Sequence, residues 1–396
     1  MKLLFTAFFS TLSLCLLAQQ NDSSKIEIKN LGTQVNSPFP DYAPLISADG
    51  DMMIFTSRRP TAQKDIIKGV EGTENVYSTY YDDKHAKWLV TFLLGPTINL
   101  PGVDNSAIAL SNDGQRMLLY RGGNEQNANG DILESSLVGE EWSDPIRLPP
   151  PINTDFDETS ASISPDGRTI YFVSDRNWGY GGRDIWSCTQ DSTGNWGEAI
   201  NMGRAINTEQ DEEGVYIHPN GKVLFFSSKG HNSIGGYDIF MSVFDETTQT
   251  WAKAENLGVP INTTGDDIYF ELQANGKTGY YASSQSGGAT DVDIYSATFP
   301  ENILKKNVTL LKGRIINKEE VALGSTIVVT NKTTGKLIGS FKSNKTTGKY
   351  LVSLPPGIKY EFEITADGYN TNSIPIDIPY KAGYTEILKD IILEKK

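Results

Sequence analysis

Apolar and polar residues alternate in short runs along most of the chain. In one clear stretch, residues 160–164 alternate and lead into Pro165-Asp166-Gly167, a hairpin-turn signal. Two β-branched and aromatic runs follow at 169–174 and 184–189, and a last run covers 196–202. This order predicts four short antiparallel strands, the first two joined by a tight turn.

The same four-run unit recurs along the chain. Four tryptophans mark it at intervals of 54, 54 and 55 residues, at Trp88, Trp142, Trp196 and Trp251. A polar residue followed by Ile or Val begins a strand in each unit, at Asn75, Asp131, Asp184, Asp238 and Asp293. Turn glycines recur at Gly50, Gly114, Gly167, Gly221 and Gly276, and an Ile-Asn junction at Asn99, Asn153, Asn207 and Asn262. Four-stranded units at this period are typical of β-propeller blades.

The last unit ends at Phe299 without a tryptophan strand, and its missing strand has a counterpart at the start of the chain. Residues 29–36 match residues 255–262 nearly position for position. We therefore expect an all-β chain with a five-bladed propeller over residues 25–302, in which the N-terminal strand closes the last blade and removes exposed sheet edges. The first unit carries an insertion near residues 59–72.

The pattern changes after Ile303. Tyr, Phe, Val and Ile strands alternate with Asn-Lys-Thr-Thr-Gly turns at 331–335 and 344–348. Two layers of four strands fit into fewer than ninety residues. We expect a small β-sandwich over residues 308–396.

Several motifs resemble known families. Ser164-Pro165-Asp166-Gly167, residues 181–186 and the Ile-Asn-Thr junctions resemble the TolB-type, WD-like propeller repeat of bacterial envelope proteins. The tail, with Leu354-Pro355-Pro356-Gly357 and Asp367-Gly368-Tyr369, resembles the non-catalytic carboxypeptidase regulatory-like, transthyretin-type domain. The pair resembles the middle part of OmpA-family envelope proteins of type IX secretion systems, which implies a role in secretion or outer-membrane assembly.

The first residues resemble an export signal. Lys2 precedes an apolar run at residues 3–17, and Ala18 offers a small residue for cleavage before Gln19. Leu14 stands where a lipobox has a small residue, so Cys15 is interpreted as part of a signal peptide (residues 1–18) and not as a lipid anchor. No other apolar run approaches the roughly 20 residues of a membrane span. We expect an exported chain in the periplasm or at the outer-membrane periphery.

The charge is unevenly distributed. Residues 303–396 carry 15 Lys and Arg against 9 Asp and Glu, a net charge of +6. Residues 19–302 carry 19 basic and 40 acidic residues, a net charge of −21. Nucleic acid would be repelled by such a body. A cation or a basic partner would be attracted.

Familiar catalytic motifs are missing from the sequence. The three histidines, His85, His218 and His231, lie in different units, so they form no spaced zinc motif. No Gly-x-Ser-x-Gly motif occurs, so a serine hydrolase is not indicated. We expect no catalytic residues.

Carboxylates follow the junctions of successive units. Topology predicts that they ring one mouth of the propeller channel. They include the metal candidates Asp157, Glu158, Asp211, Glu212, Asp266 and Asp267. Repetition in every unit favours a structural role, such as capping backbone N–H groups or linking neighbouring blades. The alternatives are a Ca²⁺ site, which suits oxygen ligands, and a catalytic carboxylate pair.

Loops at the same mouth carry the candidate partner-binding residues. These are Arg176, Trp178, Tyr180, Arg183, His231 and Tyr237. Trp178, Tyr180, His231 and Tyr237 depart from the repeat, and aromatic residues in loops on a rigid scaffold often bind ligands. The alternative is a structural role, in which these aromatic side chains pack over the loop glycines.

Three hypotheses follow for function. The first is a non-catalytic envelope scaffold whose propeller mouth binds a protein or a glycan. The second is a glycan-active enzyme that uses carboxylates at the same mouth. The third is a structural protein stabilised by Ca²⁺.

Overall fold

The computed structural model describes residues 26–62, 68–122, 129–285, 292–304, 308–381 and 383–396. The predicted signal peptide, with Cys15, and part of the insertion lie outside these ranges. The described chain begins with strand β1 (Glu27–Asn30) and a short 3-10 helix at Gly32–Gln34. The other elements whose bounds fall within these ranges are strands, so the all-β prediction is confirmed.

Five sheets follow in chain order, each built from consecutive strands. Sheet 1 contains β2 (Asp41–Ile46), β3 (Met52–Ser57), β4 (Asn75–Asp82), β5 (Lys87–Trp88) and β6 (Phe92–Leu93). Sheet 2 contains β7 (Asp104–Leu110), β8 (Arg116–Gly122), β9 (Asp131–Val138), β10 (Glu141–Trp142) and β11 (Ile146–Arg147). Sheet 3 contains β12 (Glu158–Ile163), β13 (Thr169–Ser174), β14 (Asp184–Thr189) and β15 (Ile200–Asn201).

The next two sheets continue the order. Sheet 4 contains β16 (Glu212–Ile217), β17 (Val223–Ser228), β18 (Asp238–Asp245), β19 (Thr250–Trp251) and β20 (Glu255–Asn256). Sheet 5 contains β21 (Asp267–Leu272), β22 (Thr278–Ser283) and β23 (Asp293–Thr298). The outermost run of each of the first four sheets is short or broken. Short edge strands are one way in which proteins protect a sheet edge from pairing with another chain.

The first strands of the five sheets line a common centre. They contact one another in cyclic order, β2 with β7, β7 with β12, β12 with β16 and β16 with β21, and β21 contacts β2 again. Sheet 5 receives β1 as its outer strand, with Glu27 opposite Thr298. This arrangement confirms the β-propeller. Apolar layers between neighbouring sheets, with Phe172, Phe225 and Phe240 fully buried, provide its core.

Two four-stranded sheets form the tail. Sheet 6 is centred on β24 (Thr309–Asn317), which pairs with β27 (Lys349–Leu354), β30 (Thr385–Leu388) and β31 (Ile391–Leu393). Sheet 7 contains β26 (Leu337–Lys342), β25 (Thr326–Asn331), β28 (Ile358–Thr365) and β29 (Asn372–Ile378). Both sheets contribute to one apolar core that includes Ile327, Val352 and Phe362.

The tail packs on the hairpin-turn end of the propeller. Ala48 and Ala274 of two turns share an apolar cluster with Val308, Leu310 and Leu351 of the tail. The Asn344 side chain donates a hydrogen bond of 2.6 Å to the carbonyl of Gly139. The backbone N–H of Lys342 donates to Asp113 at 3.2 Å. The opposite end of the propeller, where the junction loops lie, is therefore the end that the tail leaves uncovered.

Within the described ranges, no helix has the length and apolar character needed to cross a membrane.

Candidate functional site at the channel mouth

Five buried asparagines at the junctions make one repeated contact. The side-chain oxygen of Asn207 accepts a hydrogen bond from the N–H of Ile185, and its amide donates to the carbonyl of Ile185, both at 2.9 Å. The same pair of contacts joins Asn36 to Ile294, Asn99 to Val76, Asn153 to Ile132 and Asn262 to Ile239. The junction asparagines are therefore structural, because each satisfies two buried backbone groups.

A second repeated position lies at the start of each inner strand. Its residues are all buried, namely Asp41, Asn105, Glu158, Glu212 and Asp267. Glu212 accepts hydrogen bonds from the hydroxyls of Thr208 and Ser228, both at 2.7 Å. Burial raises the pKa of Glu212 to about 7, although these bonds favour the charged form. Burial also raises the pKa of Asp267, which is bonded in the same way. We call this series the anchor residues.

The carboxylates just before the anchors link neighbouring sheets. Asp211 accepts a hydrogen bond from the N–H of Arg183 in the preceding sheet. Three further carboxylates accept a hydrogen bond from a backbone N–H of the preceding sheet. The N–H of Glu74 donates to Asp104, that of Gly130 to Asp157 and that of Tyr237 to Asp266. The metal candidates thus divide between two series with different partners. In the part of the chain that the structure describes, no group of three or more His, Cys, Asp or Glu could hold a metal ion.

The side chain of Arg176 is largely buried beside sheet 3, with 9% of its surface exposed. Its guanidinium lies 2.9 Å from Glu158 and donates to the carbonyl of Pro151 at 2.8 Å. The same group stacks on the rings of Phe172 and Trp186. Arg176 therefore neutralises an anchor residue. The contacts of its guanidinium are made within the propeller, which indicates a structural role.

His231 takes a position that recurs in the structure. Its Nε2 lies 2.8 Å from the carbonyl of Ile206. In three other sheets an arginine donates a hydrogen bond to the equivalent junction carbonyl. Arg59 donates to the carbonyl of Val35, Arg121 to that of Ile98 and Arg176 to that of Ile152. His231 therefore departs from the repeat in residue type but keeps its contact. This equivalence is hard to recognise in the sequence, because His231 lies three residues after the end of its strand, whereas Arg59 and Arg176 lie two residues after theirs.

Trp178 and Tyr180 lie on the surface of the loop between β13 and β14. Trp178 is 94% exposed and has a left-handed backbone (φ 75°). Tyr180 is partly exposed, and the guanidinium of Arg204 lies 4.6 Å from its ring centre. A solvent-facing tryptophan with such exposure is free to contact a ligand.

Arg183 and Tyr237 border the channel mouth. Arg183 bridges two carboxylates from different sheets, at 3.0 Å from Asp157 and 3.3 Å from Glu213. The hydroxyl of Thr159 lies 2.7 and 2.9 Å from the two oxygens of Glu213. Burial, followed by Glu213 and Asp211, raises the pKa of Tyr237, so its phenol stays protonated.

The residue after each anchor is different in every sheet. These residues are Tyr42, Ser106, Thr159, Glu213 and Ile268. Next to Ile268, Tyr269 stacks on Tyr42 with ring centres 6.2 Å apart. Tyr269 has a left-handed backbone (φ 59°), a strained state for an aromatic residue. Sequence reasoning placed Glu213 among the carboxylates of the mouth but missed Tyr42 and Tyr269 as candidate site residues, although the variation at the position of Tyr42 was a readable signal.

Below the mouth, the channel contains two small cavities of about 20 Å³ each, enough for one water. The buried carboxyl of Glu271 lines both of them. One of its oxygens accepts the N–H of Ile46 at 2.7 Å. Burial raises the pKa of Glu271 to about 8.

No protein-family model matches the chain, and no curated protein matches it either. Among solved structures, a TolB described as putative from Agrobacterium tumefaciens is similar, with 16% identity, a TM-score of 0.40, and coverage of 70% of this chain and 91% of that one. A thermostable family-43 glycoside hydrolase shows 13% identity, a TM-score of 0.43, and coverage of 68% and 91%. A protein of unknown function from Dyadobacter fermentans shows 13% identity, a TM-score of 0.43, and coverage of 69% and 98%.

Proposed function

We propose that the chain is a non-catalytic binding protein of the cell envelope, whose propeller mouth takes a protein or glycan partner. The supporting observation is the variation of the inner strands. The anchor residues and junction asparagines repeat, but the position after the anchor holds a different residue in each of the five sheets. A rigid frame with one non-repeating surface suits a ligand site.

The charged groups at the mouth favour binding over catalysis. Asp157 and Glu213 are both engaged by Arg183, and Thr159 contacts Glu213 as well. Asp211 pairs with Lys229, which lowers the pKa of Asp211 against the opposing effect of burial. A general acid needs a raised pKa and access to its substrate. Carboxylates tied to cations are better suited to fixing the shape of a binding surface.

The chemistry of the rim indicates the class of partner. Trp178 and Tyr180 provide aromatic surface, and the acidic body carries a net charge of −21 over residues 19–302. Aromatic residues give large contact area at low entropic cost. The acidic surroundings favour a neutral or basic partner. A basic protein segment or a neutral glycan has this chemistry.

The architecture belongs to the same proposal. The five sheets are taken as a complete ring of five blades, closed by β1, and the tail as a β-sandwich of the carboxypeptidase regulatory-like type. The repeated contacts of the five junction asparagines, including Asn36 with Ile294, support the count. The apparent signal peptide supports placement in the periplasm or at the outer-membrane periphery. A role in type IX secretion or outer-membrane assembly rests on the sequence resemblance.

The test uses the predicted mature chain, residues 19–396, as bait in a native envelope extract and on a glycan array. The double variant Trp178→Ala, Tyr180→Ala is compared with Tyr380→Ala, which removes an exposed tyrosine from the tail. A partner that is lost in the double variant and kept by Tyr380→Ala supports the proposal. Equal loss in both, or no partner, contradicts it.

The alternative is a glycan-active enzyme. It is favoured by the convergence of Asp157 and Glu213 on one guanidinium, which brings two carboxylates to one point of the mouth. Release of reducing ends from a bound glycan, abolished in Glu213→Gln, would establish the enzyme and overturn the non-catalytic proposal. Binding of the glycan without release of reducing ends would reject the enzyme.

A further inference from the structure

Four of the five sheets contain a pair of aromatic rings on their second and third strands. The paired residues lie directly opposite each other, namely Phe55 with Tyr77, Phe172 with Trp186, Phe226 with Phe240, and Tyr281 with Tyr295. In sheets 1 and 3 a guanidinium lies over this pair. Arg59 is 4.6 Å from the ring centre of Tyr77, and Arg176 is 4.7 Å from that of Phe172. Each arginine also contacts the anchor carboxylate of its own sheet, at 2.6 and 2.9 Å.

These two sheets therefore contain a complete guanidinium site. Its parts are an aromatic pair, an anchor carboxylate and the junction carbonyl to which the arginine donates. Sheets 2 and 4 supply a nitrogen group of their own in a different way. Arg121 donates to the neutral anchor Asn105 at 3.0 Å, and the ring of His231 lies 5.1 Å from that of Phe240.

Sheet 5 keeps the parts of the site but has no basic residue beside them. Gln285 stands two residues after the second strand, where sheets 1 and 3 have arginine, and its side chain is exposed. Residues 284–294 contain no Lys, Arg or His. Among the described residues, none forms a salt bridge with the anchor Asp267, and none donates a hydrogen bond to the junction carbonyl of Ile261. Tyr295 is partly exposed, so the ring pair lies near the surface of the propeller.

The hydroxyl of Tyr281 is an independent observation that points to a ligand. Sheets 1, 3 and 4 have phenylalanine at this position. Tyr281 is fully buried, and no described residue forms a hydrogen bond with its hydroxyl. Leaving a buried hydroxyl unpaired costs free energy that a phenylalanine would avoid. Burial, followed by the charge of Asp267, raises the pKa of Tyr281, so the phenol stays protonated beside that carboxylate.

We infer that sheet 5 contains a binding site for the guanidinium of an arginine side chain of a partner protein. The guanidinium would lie over Tyr281 and Tyr295 and pair with Asp267. It would donate to the carbonyl of Ile261 and to the hydroxyl of Tyr281, so that the polar groups of the site are satisfied. The acidic body of the chain, with a net charge of −21 over residues 19–302, would attract such a partner.

This inference rests on the proposed function and names the side chain by which a protein partner would be held. The anchor residues and the junction loops lie at the channel mouth, so the site belongs to the same end of the propeller. Because the site is built for a planar cation, it favours a basic protein segment over a neutral glycan.

The probe is N-acetyl-L-arginine amide, titrated into residues 19–396 and followed by saturation-transfer difference NMR. N-acetyl-L-citrulline amide has nearly the same shape without the charge. Asp267→Asn removes the carboxylate, and Tyr281→Phe removes the hydroxyl. The fold should accept both changes, because sheet 2 has Asn105 as its anchor and sheet 3 has Phe172 opposite its third strand.

Glu212→Gln is the matched control. Glu212 accepts hydrogen bonds from one threonine and one serine hydroxyl, as Asp267 does, and both substitutions remove one buried negative charge. In sheet 4, however, His231 already lies against the aromatic pair. A general attraction of the probe to the acidic body would therefore respond equally to the two substitutions.

Binding of the arginine probe but not of the citrulline probe supports the inference if three results accompany it. Asp267→Asn should weaken binding at least about tenfold, Tyr281→Phe at least about threefold, and Glu212→Gln should leave it unchanged. Tyr281→Phe should also leave the melting temperature unchanged or raise it, which a purely structural hydroxyl would not do. If Asp267→Asn does not fold, the result for Tyr281→Phe decides.

Three outcomes overturn the inference. They are no binding of the arginine probe, equal binding of the citrulline probe, and equal weakening by Asp267→Asn and Glu212→Gln. A partner that depends on Trp178 and Tyr180 could still be captured after any of these results. Failure of the inference is therefore distinguishable from failure of the proposed function.

Discussion

Adjacent positions on the inner strands behave in opposite ways. The anchor position is polar and buried in all five sheets, whereas the next position is Tyr42, Ser106, Thr159, Glu213 or Ile268. The anchors bond to neighbouring strands and loops of the frame, as Glu212 does with Ser228. The variable residues have different partners: Glu213 meets Arg183 from another sheet, and Tyr42 stacks on Tyr269.

This difference distinguishes residues that hold the propeller together, which we call the frame, from residues that are candidates for binding. A contact needed by every sheet is repeated in every sheet, so repetition identifies structural residues. Under the proposed function, a ligand at the mouth would break the symmetry of the ring, so the residues that contact it would be free to differ. Of the residues singled out from the sequence, Arg176 and His231 have frame contacts, whereas Arg183 and Tyr237 lie at the mouth and Trp178 and Tyr180 are exposed in a nearby loop.

The largest effect should come from removing a frame arginine. Arg176→Ala leaves the buried carboxylate of Glu158 without its cation, and we expect a loss of about 3–5 kcal/mol in the free energy of unfolding. Urea denaturation measures it. Arg147→Ala is the control, because its bridge to Asp131 is half exposed and should contribute at most about 1 kcal/mol. Equal losses in the two variants would contradict the assignment of Arg176 to the frame.

The junction asparagines should rank next. Asn207→Ala leaves the buried N–H and carbonyl of Ile185 without this partner, and about 2 kcal/mol of stability should be lost. Asn195→Ala, at an exposed turn, should change stability by no more than about 0.5 kcal/mol. Thermal or urea unfolding separates these outcomes. A neutral Asn207→Ala would mean that the repeated junction contact is not a structural requirement.

The buried carboxyl of Glu271, which lines the two channel cavities, should make the stability of the fold depend on pH. Its folded pKa of about 8 exceeds the unfolded value near ~4.3, so the folded chain holds a proton that the unfolded chain has released between these pH values. Stability should fall as pH rises from 5 to 8, with Glu271 contributing up to about 1.4 kcal/mol per pH unit. Glu271→Gln should flatten the curve.

Glu140→Gln, at an exposed position, is the control for this measurement. Unfolding free energies at several pH values give the slope for each variant. Burial raises the pKa of Glu212 to about 7, so part of the slope of unfolding free energy against pH should remain in Glu271→Gln. A slope that is the same in Glu271→Gln and in the unchanged chain would contradict the protonated state of Glu271.

The smallest change in stability should follow from substitution of the exposed loop residue Trp178. Trp178→Ala should alter the unfolding free energy by less than about 0.5 kcal/mol, because the side chain is 94% exposed. If the mouth binds a partner, the same change should weaken binding by at least about tenfold. Titration with the captured partner measures this. A stability loss comparable to that of Arg176→Ala would place Trp178 in the frame.

Much of the propeller was predictable because its signals are local. The strands expected at 169–174 and 184–189 have the same bounds in the structure. The match of residues 29–36 to 255–262 predicted the pairing of β1 with β23. The run expected at 196–202 was less accurate, since only Ile200–Asn201 forms a strand there after a bridge between Gln190 and Trp196. Outer strands have one neighbour, so sequence pattern constrains them less.

The sequence by itself determined the period, the turns, the order of strands and the repeated carboxylates, because each depends on nearby residues or on repetition. Only the tertiary structure decided which carboxylates anchor the frame and which meet at the mouth. Asp157, Arg183 and Glu213 are far apart in the chain and come together because neighbouring sheets pack side by side. Likewise, the docking of the tail on the hairpin-turn end depends on shape and apolar contact between distant segments.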